Sequence, residues 1–195
     1  MTSPAFTPPQ RICVIGTTST GKSTLAQRLA AALDAPYVEM DALFWKPNWV
    51  SAPDEEFIPA LRAATAGDAW VTAGNYRRQA GEAVWPRAQL MVWLDLPLHL
   101  VLWRVIRRSW QRSQRKEVLW GTNTETFWKH LKLWDQSESL IAFAVATHRS
   151  RRDRYTAMLT DPQWSHIRFV RLCTPREVEA FTRDFEAIAG TKRTA

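Results

Sequence analysis

The chain alternates short, dense apolar runs with longer stretches in which apolar residues recur every three or four positions. "RICVIG" (11–16) is one such run, rich in branched residues and closed by glycine, and it predicts a buried strand. Leu25, Leu29 and Leu33 then share a face with Ala26 and Ala30 beside them, which predicts a helix. "PYVEMD" (36–41), "WVTAG" (70–74), "LMVWLD" (90–95) and "HIRFVRL" (166–172) read as four more strands. The stretch 53–68 opens with proline and acids and stops at glycine, a helix pattern. In 97–112, Leu98, Val101, Leu102 and Val105 fall on one stripe behind a leading proline, another helix. Helical spacing continues over 125–134, 137–159 and 175–190. Strands alternating with helices imply an α/β fold with a mostly parallel sheet covered on both faces. No repeat or internal linker interrupts the pattern. Residues 11–190 are expected to form one domain, with 1–10 and 191–195 as disordered tails.

Composition narrows the class. A hydrophobic fraction of 46% is ordinary for a globular chain, and Cys13 and Cys173 fall in a predicted strand or at its end, as free thiols rather than a disulfide framework. "MTSPAFTPPQ" lacks the apolar run of a signal peptide. The greasiest stretch, "LMVWLDLPLHLVLWRVI", is broken by Asp95, Pro97, His99 and Arg104 and does not read as a membrane span. A cytoplasmic protein with no membrane partner is the expectation. The net charge of +7 lies in one region: between Arg77 and Arg154, twelve Arg and three Lys face seven acids. That excess fits a solvated basic face, a nucleic-acid surface or a polyphosphate site.

One motif favours the third. Gly16-Thr17-Thr18-Ser19-Thr20-Gly21-Lys22-Ser23, followed by Thr24, fits G-x-x-x-x-G-K-[ST], and it lies between a predicted strand and a predicted helix. The glycines let backbone N–H groups approach an anion, and the helix start adds its dipole and unpaired donors. Lys22 would reach the β- and γ-phosphates of ATP, and the Ser23 hydroxyl would ligate Mg²⁺. No guanine-reading N-K-x-D occurs, which argues against a GTPase switch, and the chain is short for a motor.

The stretch running from "RICVIGTTSTGKSTLA" through "YVEMDALFWKPNW", with "WVTAGNYR" and "VWLDLPLHLVLWRVIRR", resembles the adenylate-kinase-like group often labelled DNA-topology-modulation proteins. The resemblance covers about residues 11–175. It implies a P-loop fold like that of nucleoside-monophosphate kinases, a three-layer sandwich with sheet order 2-3-1-4-5. It places Asp41 at the end of strand two beside the acceptor pocket, with Glu39 pointing the same way; a helix-cap role for Asp41 is the alternative. Trp45 and Trp49 would sandwich a flat or sugar-like acceptor, or else serve the core. Asn75, Tyr76 and Arg77 follow Gly74, where close backbone approach to a ligand is expected. Arg104 and Arg108, four apart on one helix face, would meet the base and the transferring phosphoryl unless they form a solvated face.

Arg112 and Arg115 run into a short lid at about 112–126. Arg149 and Arg152 share a face and would close over the phosphates. Thr174 and Pro175 would pass the adenine. One departure stands out: where the pattern has an acid ending strand three, this chain has Ala73, so either Asp41 or Asp95 replaces that acid or metal binding is weak and turnover slow. ATP-dependent phosphoryl transfer to a small nucleotide, nucleoside or sugar-like acceptor is the leading expectation. The rival is an ATP-binding regulatory protein acting on DNA or a partner through its Arg-rich half. No feature of the sequence specifies an oligomeric state.

Overall fold

The computed structural model describes residues 8–115, 118–119, 123–124 and 139–191. Five parallel strands form the central sheet: β1 (Arg11–Gly16), β2 (Tyr37–Glu39), β3 (Trp70–Ala73), β4 (Leu90–Leu94) and β5 (Arg168–Leu172). Their order is β2-β3-β1-β4-β5, which matches the order 2-3-1-4-5. Among the described residues seven helices accompany them: α1 (Lys22–Leu33), α2 (Met40–Phe44), α3 (Asp54–Ala64), α4 (Arg77–Ala83), α5 (Leu98–Arg115), α6 (Leu140–Met158) and α7 (Pro175–Thr191). The α/β architecture expected from the alternating pattern is the one observed.

Periodicity explains the layers. β1 is buried on both faces, because a central parallel strand is covered by helices on each side. Val14 and Ile12 face α1 and α7 together with Leu25, Leu29, Val92 and Phe185. Cys13 and Ile15 face the opposite layer, where Phe57, Leu61, Trp70, Trp85 and Trp164 pack. A smaller cluster of Leu96, Val101, Val105, Ile141 and Ala144 joins α5 to α6. Several of the eleven tryptophans are thus core residues, Trp70 and Trp85 being fully buried.

The structure departs from the sequence pattern at three places. "PYVEMD" is strand only to Glu39; Met40 and Asp41 already belong to α2, so Asp41 sits in a first helical turn and not at a strand end. The segment after α2 is a hairpin whose strands Trp45–Lys46 and Val50–Ser51 flank the turn Pro47–Trp49. Two-residue strands leave no readable alternation. The helix α4 was not anticipated either, since Gly81 and its polar neighbours mask its pattern. The expected helix over 125–134 and residues 116–117, 120–122 and 125–126 of the expected lid lie outside the described residues, whereas 118–119 and 123–124 pair as antiparallel strands. Among the described residues, no helix is long and apolar enough to cross a membrane.

Gly74 has a packing role. A Cβ at that position would meet Met40 Cβ at 2.6 Å and Met40 Sδ at 2.8 Å. The close approach expected there is made by the Met40 side chain of α2. Gly74→Ala is expected to destabilise the fold by about 1–3 kcal/mol through overpacking, read as a lowered denaturant midpoint.

Candidate functional site

The site assembles at the carboxyl edge of the sheet, where β1, β2 and β3 release their loops. After β1 the chain turns through Thr17–Gly21 into α1. Ser19 is held at φ 58 and Gly21 at φ 97, so successive peptides turn inward. At Gly16, with φ +146, an added Cβ would lie 2.6 Å from the Leu94 carbonyl oxygen, so the loop tolerates no side chain there. Thr20 Oγ1 donates to the Thr17 carbonyl at 2.8 Å, which closes the loop from inside. Lys22 Nζ donates to the same carbonyl at 3.0 Å. Burial pulls the Lys22 ammonium down to about 8; the Asp41 and Glu39 carboxylates oppose that shift, and Arg151 and Arg108 reinforce it.

Asn75 braces this loop. Its Nδ2 donates to the Gly16 carbonyl at 2.6 Å and its Oδ1 accepts from the Gly16 N–H at 3.1 Å. The side chain thereby satisfies both backbone groups of Gly16 just beyond the last β1–β3 pair, Val14 with Ala73. Tyr155 on α6 donates its hydroxyl to the same Oδ1 at 3.2 Å. Asn75, expected in an acceptor pocket, is therefore engaged with the phosphate loop.

An acid stands level with Ala73 on the neighbouring strand β2. Glu39 is the register partner of Ala73, and the Ser23 hydroxyl donates to Glu39 Oε1 at 3.2 Å. Glu39, rather than Asp41 or Asp95, is the carboxylate beside the hydroxyl expected to hold a metal. The signal was present in the sequence as an acid two residues before Asp41, but only strand register shows that it faces Ser23. Asp95 is buried and committed elsewhere, because Arg171 Nε donates to its Oδ2 at 2.9 Å and Arg152 Nε lies 3.2 Å from the same oxygen. Buried carboxylates need such partners.

Asp41 faces the site from α2. Its Oδ1 accepts from the Tyr76 hydroxyl at 2.6 Å. Burial, with that carboxylate beside it, pushes the Tyr76 phenol well above its ordinary range. Phe44 packs on Tyr76 and Phe57. Trp45 and Trp49 contact each other edge to face, with centroids 5.6 Å apart and planes at 74°, so no slot for a flat guest lies between them. Arg77 is exposed at the start of α4.

The α5 pair comes to the phosphate loop. Arg104 Nη1 donates to the Thr20 carbonyl at 3.0 Å and Arg108 Nη2 to Thr18 Oγ1 at 3.4 Å. On α6, Arg149 is exposed and Arg152 pairs with Asp95, whereas Arg151 is half-buried against the Phe143 ring at 4.8 Å. Burial lowers the pKa of Arg151, and it is close enough to Lys22 and Asp41 to influence both electrostatically. The expected pair, Arg149 and Arg152, is thus not the one nearest Lys22, and four arginines in six residues give no periodic signal that separates them. Thr174 caps α7: its Oγ1 accepts from the Glu177 N–H at 3.2 Å, and Glu177 Oε2 accepts from the Cys173 N–H at 2.7 Å. Pro175 occupies the first helical position of α7.

No family model and no curated protein matches this chain. Solved structures do. A shikimate kinase from Bacteroides thetaiotaomicron is 15% identical, with a TM-score of 0.52, over 92% of this chain and 98% of that one. A shikimate kinase from Acinetobacter baumannii in complex with shikimate is 15% identical, with a TM-score of 0.52, over 96% of each chain. A sugar kinase from Janibacter is 18% identical, with a TM-score of 0.50, over 93% of this chain and 96% of that one. At these identities the likeness shows a shared fold.

Proposed function

We propose that the protein transfers the γ-phosphoryl group of ATP to a hydroxyl of a small acceptor. The observation that carries this reading is the facing of two half-sites. A phosphate loop with Lys22 lies on one side, and the Glu39 and Asp41 carboxylates lie across from it, with Ser23 hydrogen-bonded to Glu39. A bare phosphate-binding turn needs no acids opposite it.

The residues present fit a magnesium nucleotide. The Ser19 hydroxyl is buried without a hydrogen-bond partner, and the space around Gly21 is bounded by Arg104 Nη1 at 3.8 Å from where a Cβ would stand. Ser23 and Glu39 would hold Mg²⁺, directly or through water, and bound MgATP would supply the activated phosphoryl group and charge neutralisation. Lys22, Arg104, Arg108 and Arg151 gather positive charge where the transferred group carries negative charge. Asp41 accepts the acceptor's hydroxyl proton, and Tyr76 holds that carboxylate in place through its hydrogen bond. The fold's kinase neighbours favour this reading over the DNA-topology label of the resemblance.

The test is ADP release from MgATP with a panel of acceptors: shikimate, simple sugars, nucleosides and nucleoside monophosphates. Turnover that depends on one class supports the proposal and names the acceptor. Nucleotide binding without turnover for any class overturns it in favour of an ATP-binding regulator.

A further inference from the structure

Asn123 is an asparagine only 2% exposed, on a two-residue strand within the stretch expected to form a lid and 74 positions from the hairpin residue it contacts. Its amide closes the turn of the 45–51 hairpin. Oδ1 accepts from the Trp49 N–H at 2.9 Å and Nδ2 donates to the Lys46 carbonyl at 3.0 Å. That turn is an unusual one. Asn48 and Trp49 both sit at φ 60, in the left-handed region that a bulky aromatic side chain rarely occupies. The hairpin has its own bond from the Val50 N–H to the Pro47 carbonyl, but the Lys46 carbonyl and Trp49 N–H are met by the foreign amide.

From the clasped turn a continuous line of contacts runs to the acid opposite the phosphate loop. Trp49 meets Trp45 at 5.6 Å between centroids, Trp45 meets Phe44 at 4.9 Å, and Phe44 meets Tyr76 at 4.6 Å. Tyr76 then hydrogen-bonds Asp41 at 2.6 Å. Close-packed rings shift together, because a gap at any contact forfeits its dispersion energy. We propose that Asn123 is a positioning residue for the acceptor side of the cleft: it sets the conformation of the 45–51 hairpin and, through the four rings, the placement of the Asp41 carboxylate. The catalytic meaning of this coupling rests on the kinase reading, and the physical coupling does not.

The chain contains three tyrosines, Tyr37, Tyr76 and Tyr155, so a full-length protein labelled with 3-fluorotyrosine gives three fluorine resonances. The Tyr76→Phe variant assigns one of them. Asn123→Ala is expected to shift the Tyr76 line and leave those of Tyr37 and Tyr155 in place. Asn123→Asp, which keeps the size and the acceptor oxygen but sets a carboxylate oxygen against the Lys46 carbonyl, is expected to shift the same line as well. A Tyr76 line unmoved in both variants overturns the inference, as does movement of all three lines in both, which would mean a general loss of fold. The spectrum needs neither ATP nor an acceptor, so failure of the kinase reading leaves this arm standing. With an acceptor from the panel above, Asn123→Ala is expected to lower its kcat/KM by about 10²-fold, while the KM for MgATP moves less than about threefold. Equal losses for both substrates would overturn the assignment to the acceptor side.

Discussion

Lys22→Ala is expected to reduce MgATP turnover by about 10³-fold, the scale associated with removing a preorganised positive group from a phosphoryl-transfer site. The side chain already lies folded over its loop, donating to Thr17, and it must leave that carbonyl to reach a phosphate. Its protonation is linked to binding. Burial pulls its pKa in the free protein to about 8, and a bound triphosphate would raise it again. Between those two values binding takes up a proton, so nucleotide affinity should be flat below pH 8 and fall as pH rises above it. Calorimetry in buffers of different ionisation enthalpy reads that proton directly. The wild type should show uptake near pH 9 and Lys22→Ala none. Equal affinity of the two proteins at pH 7 would sink the assignment of Lys22 to phosphate.

Asp41→Asn should behave differently. The amide preserves the size of the side chain and an oxygen for the Tyr76 hydroxyl, but it cannot take a proton. Turnover is expected to fall about 10²–10⁴-fold, the range of general-base contributions, with nucleotide affinity within about threefold of wild type. Single-turnover kinetics with saturating MgATP distinguish this from a binding defect. Retained turnover would show Asp41 to be part of the α2 scaffold only and would shift the proton-accepting role to Glu39.

The contrast between these two positions shows what was legible beforehand. Gly16 to Ser23 could be read directly, because a phosphate loop is a local device: glycine conformations, a helix start and a lysine act within eight consecutive residues. Arg104 and Arg108 could be read as a pair because helical spacing fixes their common face. Glu39 was only a helper to Asp41 until register showed it level with Ala73 and facing Ser23. Asn75 has the residue type of a ligand contact, yet it spends its amide on Gly16, a pairing across 59 positions that no local pattern encodes. Arg151 and Arg152 are neighbours in sequence with different neighbours in space, one near Lys22 and the other at Asp95.

The sequence alone determined the layer architecture, the strand-to-helix alternation and the glycine-bounded turn at 16–23, because hydrophobic period and glycine placement act over distances of a few residues. Only the tertiary structure decided which carboxylate stands by Ser23, which arginine of α6 turns inward, and that Asn123 closes the 45–51 hairpin. Those choices depend on strand register and on buried polar groups finding partners. Both are settled when distant segments pack and bring each buried donor or acceptor to its partners.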